Sequence, residues 1–219
     1  MKYKYRYIFM ICAVVCVAAI IYVLTRNETV NIETYTDISS PPSIYPDYTD
    51  LVIPSNIAPM NFRIEQPGEK YYVRIYASDK QDIEIVSTKP EIIIPLKKWR
   101  KLLKANQGKS VFYDVYVMAA GGGWQRYQTI SNQIAGENEE IDSHILYRRL
   151  KPNYNWYHSV GVFQRNLENF DESVVIHGKS IGNSCVNCHT FINNDSRSML
   201  LGFRGKFGND TILVEDGKA

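Results

Sequence analysis

The residues of this 219-residue chain best suited to chemistry are Cys185, Cys188 and His189, in the run Cys-Val-Asn-Cys-His. Two thiols three positions apart, followed at once by an imidazole, form the attachment pattern of a c-type haem. Each thiol can add to one vinyl group of the macrocycle, and His189 then reaches the iron from the proximal side. The expected cofactor is one covalent haem c with its iron, held by Cys185, Cys188 and His189. Other uses of these residues stay open. A thiol–disulfide site shares the Cys-x-x-Cys spacing but normally uses a helix N-terminus in a thioredoxin-like βαβ setting to lower the first thiol's pKa. Asn183-Ser184 could cap such a helix, although no βαβ pattern surrounds it. A structural zinc needs a further ligand, and the adjacent Cys188 and His189 fit its usual spacings poorly. A disulfide across so short a segment closes too small a loop to stabilise much.

Met199 lies ten residues past His189. An extended path of that length spans at most about 33–36 Å, enough to round a haem edge, so Met199 is the candidate second metal ligand. It could equally be a core side chain in SRSMLLGF. His144, His158 and His177 pass the same test of reach. Arg148, Arg149, Arg165 and Arg204 are candidates to pair with haem propionates, because a guanidinium fork suits carboxylates.

Haem is joined to such thiols outside the cytoplasmic membrane, and the N-terminus agrees with that compartment. Ile8–Leu24 carries no charge over 17 residues and follows Lys2, Lys4 and Arg6. That length is at the low edge of what spans a hydrocarbon core of roughly 30 Å, and Tyr5, Tyr7 and Tyr22 can sit at the interfaces. A cleaved signal has a shorter apolar core of about 7–15 residues; anchor or signal, the positive flank stays inside and the rest is exported. The expected location is an inner-membrane anchor with the main domain in the periplasm. Cys12 and Cys16, four apart on one helical face, serve membrane packing.

With 45% hydrophobic and 22% charged residues, the composition fits a folded globular chain and excludes a mostly disordered one. Twenty-five basic against 23 acidic side chains leave a formal charge of +2, which removes the electrostatic support for nucleic-acid binding. Sixteen Tyr and many β-branched residues favour strands. The expected fold is mainly β: an anchor or signal over 1–25, a Pro-rich linker or strap over 26–56, an Ig-like antiparallel β-sandwich over 57–135, and an irregular segment with short strands over 136–219 that bears the Cys-x-x-Cys-His motif. In VFYDVYVM, Val111, Tyr113, Val115 and Val117 share one face, with Phe112, Asp114, Tyr116 and Met118 on the other; a slip by one would bury Asp114. PLKKWRKLLKANQG predicts a short helix with Leu96, Trp99, Leu102 and Leu103 on one stripe, five cations outside it and Gly108 at its end. NQGKS is a turn, because Leu103 stands where a phosphate loop needs Gly. Gly121-Gly122-Gly123 reads as a hairpin loop.

The stretches YPDYTDLVIPSNIAPMNFRI, YRRLKPNY, VGVFQRNL, GNSCVNCHTF and MLLGFRGKFG together resemble exported, membrane-anchored Bacteroidetes proteins of the cytochrome c biosynthesis or TolB-like kind, from about Tyr45 to Lys218. The resemblance implies a haem-type motif at Cys185, Cys188 and His189 and an envelope location. Where such proteins read Met-Leu-x-His-x-Arg-Gly after the motif, this chain matches at Met199, Leu200, Arg204 and Gly205 but has Gly202 in place of the His. Longer members continue into a β-propeller that this sequence lacks. The expected function is a mono-haem, non-enzymatic electron carrier that exchanges single electrons with a quinol enzyme or another cytochrome. The alternatives are a binding or assembly module linked to cytochrome c biogenesis and a thiol–disulfide redox factor.

Overall fold

Strict alternation along Ser110–Met118 makes this segment the central strand of the main sheet in the computed structural model, which describes residues 32–78, 82–150, 160–206, 208–216 and 218. The apolar run 8–24 and His158 lie outside the described residues, among which no helix is long and apolar enough to cross a membrane. In chain order the first elements are β1 (Tyr35–Asp37), β2 (Ile44–Tyr45), β3 (Val52–Ile53), β4 (Phe62–Ile64), β5 (Lys70–Tyr76), β6 (Ile83–Ser87) and β7 (Glu91–Ile92). Helix α1 (Leu96–Ala105), β8 (Ser110–Met118), β9 (Trp124–Arg126) and β10 (Ile130–Ile134) follow.

Strand β8 pairs antiparallel with β5 along one edge and with β9 and β10 along the other. β6 continues the sheet beyond β5, and β1 and β3 join β9 and β10 in parallel. A second antiparallel sheet, β2-β4-β7, shares one core with it. Val111, Tyr113, Val115 and Val117 all point into that core, as their alternation requires. Asp114, on the opposite face, is buried as well: Thr129 Oγ1 donates to its Oδ1 at 2.6 Å, and Arg126 covers it at 3.4 Å. A buried carboxylate needs such partners to offset its lost hydration. The helix buries Trp99, Leu102 and Leu103 and keeps its lysines outside. Its C-terminal end is closed by the buried Asn106, whose Nδ2 donates to Leu102 O at 2.9 Å.

Beyond residue 136 the chain is more regular than expected. β11 (His144–Arg149), β12 (Gly161–Asn166) and β13 (Glu172–His177) form one three-stranded antiparallel sheet. β14 (Cys185–Phe191), β15 (Ser198–Gly205) and β16 (Gly208–Glu215) form another. The irregular segment expected there is corrected to two small sheets around Val162, Val186, Met199 and Leu201. The edge strands β13 and β16 are mostly exposed on both faces, so backbone pairing rather than apolar periodicity defines them. This half is stitched to the first by Asn56, which bonds Ile141 through both its amide groups, and by the Ala58 N–H donating to Leu167 O at 2.7 Å.

The indole of Trp99, fully buried, donates to Ile57 O at 3.1 Å, tying the helix to the segment that leads into β4. Trp99→Ala is expected to cost about 3–5 kcal/mol in denaturant titration, the usual penalty for emptying so large a site. The exposed Lys98→Ala should stay within about 0.5 kcal/mol; equal losses at both positions would contradict this packing.

Candidate functional site

Cys185 and Cys188 stand three positions apart on β14, a spacing that in an uninterrupted strand puts side chains on opposite faces. The β14–β15 register prevents that outcome. Cys185 pairs with Arg204 and Val186 with Phe203, but the next pair is Cys188 with Gly202, so one extra residue is accommodated at Asn187. Arg204 and Gly202 are two apart and therefore share a face of β15, and the two cysteines opposite them share that face too. Their Cα atoms are then about 7 Å apart, two strand rises of ~3.4 Å.

The thiols line a cleft of about 500 Å³ together with Arg148, Gly202, Arg204 and Asp210. Two glycines of β15 shape it. A Cβ at Gly202 would lie 3.2 Å from the Cβ of Cys188, so this position faces the cleft beside that thiol. Gly205 has φ +139° and packs against the buried Ser184, where a side chain would meet Ser184 Oγ at 2.9 Å. Burial, the largest cause, and the neighbouring Cys188 push the Cys185 thiol up in pKa, against a smaller opposing pull from Arg204. The thiols are not in a disulfide.

His189 is placed differently. It pairs with Leu201, which shares with Met199 and the Val186 side chain the face turned into the small core, away from the cysteines. Met199 pairs with Phe191 and Val214 and is buried there. The structure therefore brings Cys185 and Cys188 together and sets His189 and Met199 on the reverse side of the same sheet. His144 bonds Ser143 and Asn166 and lines a separate cleft with Met199. His177 accepts the Lys179 N–H at 3.1 Å, capping a short 3-10 turn. Among the described residues no three of His, Cys, Asp and Glu converge in a metal-binding group.

Of the arginines noted in the sequence, Arg148 and Arg204 reach the thiol cleft. Arg149 is ion-paired with Glu172, and Arg165 lies over the Phe170 ring at 5.3 Å. Sequence reasoning missed the role of Asn209, Asp210 and Thr211 in walling the cleft. The available signal was the Gly205 and Gly208 pair, which folds β16 back along β15. No known protein-family model matches the chain, and no curated protein matches it in sequence.

The raised pKa has a kinetic consequence, because only the thiolate is nucleophilic. In a Cys188→Ser chain free of cofactor, iodoacetamide labelling of Cys185 should rise with pH around a midpoint above the ordinary thiol value of about 8.5. A midpoint below that value would show an activated thiol and contradict the burial described.

Proposed function

We propose that the chain is a membrane-anchored periplasmic protein that carries one covalent haem c, joined at Cys185 and Cys188, and passes single electrons to and from a partner such as another cytochrome or a quinol enzyme. The observation that carries this proposal is the shifted register that turns both thiols into one cleft. A haem held there would supply an iron that gains and loses one electron at a time. The chain contributes two sulfurs on one face, cationic side chains around them and a rigid hairpin beneath.

Magnitudes favour thioether attachment over a redox dithiol. A Cα separation of about 7 Å, two ideal strand rises, lies just beyond the 4.4–6.8 Å range of ordinary disulfides. It suits two substituents on neighbouring rings of one macrocycle. A thiol–disulfide factor also needs a lowered attacking pKa, whereas burial raises that of Cys185.

The donor set fits the attachment and leaves one mismatch. With β14 in register, the His189 imidazole is across the sheet from the thiols, so its use as the iron's proximal ligand requires the His189–Leu201 pair to open. The irregularity beside Cys188 is where the strand already departs from simple pairing. Met199 is anchored between Phe191 and Val214 on a strand paired along both edges, and in this proposal it stays a core residue. The apolar run 8–24 supports the anchor, and the two sheets sharing one core over the first half support an Ig-like sandwich as the scaffold.

The full chain, exported alongside the cytochrome c maturation machinery, should gain the mass of one haem, retained under denaturing conditions. Cys185→Ser with Cys188→Ser should lose that mass while staying folded. His189→Ala should keep the covalent haem but change its visible spectrum. Exported, folded protein with the mass of the polypeptide alone would falsify the proposal; an unchanged His189→Ala spectrum would remove His189 from the iron.

A further inference from the structure

The outer face of the main sheet, opposite the core it shares with β2-β4-β7, is open: among the described residues no element lies across it. Alternation sends Phe112, Asp114 and Tyr116 of β8 to this side, and register sets Tyr76, Arg74 and Tyr72 of β5 directly beside them. Across β8, Arg126 of β9 pairs with Tyr116, and β1 adds Tyr35. The result is a surface of rings and neutralised guanidinium groups. Arg74 is ion-paired with Asp82 and lies over the Tyr76 ring at 4.7 Å; Arg126 is ion-paired with Asp114 and lies over the Tyr35 ring at 5.7 Å. The Tyr116 ring meets Tyr35 edge-on, 5.6 Å between centres, and Tyr72 at a tilt, 5.4 Å away. Tyr72 donates to Glu84 and Tyr76 to Asp114. The Tyr116 hydroxyl, central on the face, has no hydrogen-bond partner among the described residues.

We propose that this face is a self-association surface, on which two copies of the chain pack sheet against sheet about a two-fold axis. Area, ring geometry and charge select that occupant. Strands β6, β5, β8 and the β9–β10 row, about 4.8 Å apart and seven to nine residues long in β5 and β8 at ~3.4 Å per residue, offer roughly 500 Å² in projection. Two copies then bury on the order of 1,000 Å², the size at which a specific interface begins. A sugar stacks on an open ring face, whereas here guanidinium groups lie over Tyr76 and Tyr35 and the other rings turn edges and hydroxyls outward. Both arginines are neutralised in place, so the face offers no positive field to an anionic lipid surface and no net repulsion to a second copy. Tyrosine and arginine are the residues enriched at interface hot spots. Their mutual contacts already hold these side chains, so little rotamer freedom is left to lose on association. The thiols take no part in this surface.

Sedimentation equilibrium of the detergent-solubilised full chain tests this. The wild type should follow a monomer–dimer equilibrium with a dissociation constant of about 10 μM or tighter. Tyr35→Lys and Tyr116→Lys each set like charges against one another across the axis and should weaken it about tenfold or more. Tyr116→Phe, which removes only the hydroxyl, should weaken it less, and Lys98→Glu on the outer side of the helix should leave it unchanged. Thermal unfolding checks that each variant is folded; Tyr35, 43% exposed, can be replaced with little effect on the core. A wild-type chain that sediments as a monomer at about ten times that concentration would overturn the proposal, and a glycan or another protein on this face would leave it so. A dimer equally tight in both lysine variants would overturn it too, because the contact would then lie elsewhere, as in the apolar run 8–24. The outcome is the same with or without covalent haem, so this proposal and the haem proposal fail separately.

Discussion

One extra residue in a hairpin governs everything proposed for the cysteines. Side chains on a strand alternate faces, so residues separated by an odd number of positions diverge. The unpaired step between Val186 and Cys188 reverses that parity for the rest of β14. Without it, Cys185 would stay over the cleft and Cys188 would turn into the core beneath Leu201. With it, both sulfurs open to one side, and His189 inherits the inward position beside Val186. The same step thus produces the feature that supports covalent attachment and the feature that resists iron ligation by the adjoining imidazole.

Around that hairpin the structure is built to keep the cleft open. Gly202 withholds a side chain from the position directly across from Cys188, and Gly205 lets β15 pass close over Ser184. Val186 and Leu201 are almost fully buried beneath the sheet, so the floor of the cleft is set by packing and its rim by polar side chains. The larger first half supplies stability of a different kind. Its core joins two sheets and one helix, and its outer sheet face is cross-braced by Asp114, Arg126, Thr129 and tyrosines packed edge-on or tilted. Burial and nearby acidic groups push Tyr72 on that face up to about 12, so it stays neutral at any physiological pH.

Much of this was legible in the sequence because it follows simple periodicities. Val111, Tyr113, Val115 and Val117 alternate without interruption, and their strand lies where the pattern requires. Trp99, Leu102 and Leu103 mark the helix stripe. The Cys-x-x-Cys-His spacing named the residues of interest outright. What escaped was whatever breaks a period or does not need one. The extra residue at Asn187 leaves no compositional trace, so the relative facing of Cys185, Cys188 and His189 could not be read from spacing. The sheets after residue 136 escaped because β13 and β16 are held by ladder hydrogen bonds, with little apolar alternation to announce them. Asp114 looked like an outward-facing residue, and only tertiary partners on β9 and the following turn explain its burial.

The central claim, that both sulfurs bond a single macrocycle, is tested most directly by the reduced alkaline pyridine spectrum of the purified protein, whose α band shifts in steps as vinyl groups are converted to thioethers. Two conversions per iron are predicted, falling to one in Cys185→Ser and in Cys188→Ser alone. A band at the position of unmodified haem, or no band at all, would contradict it.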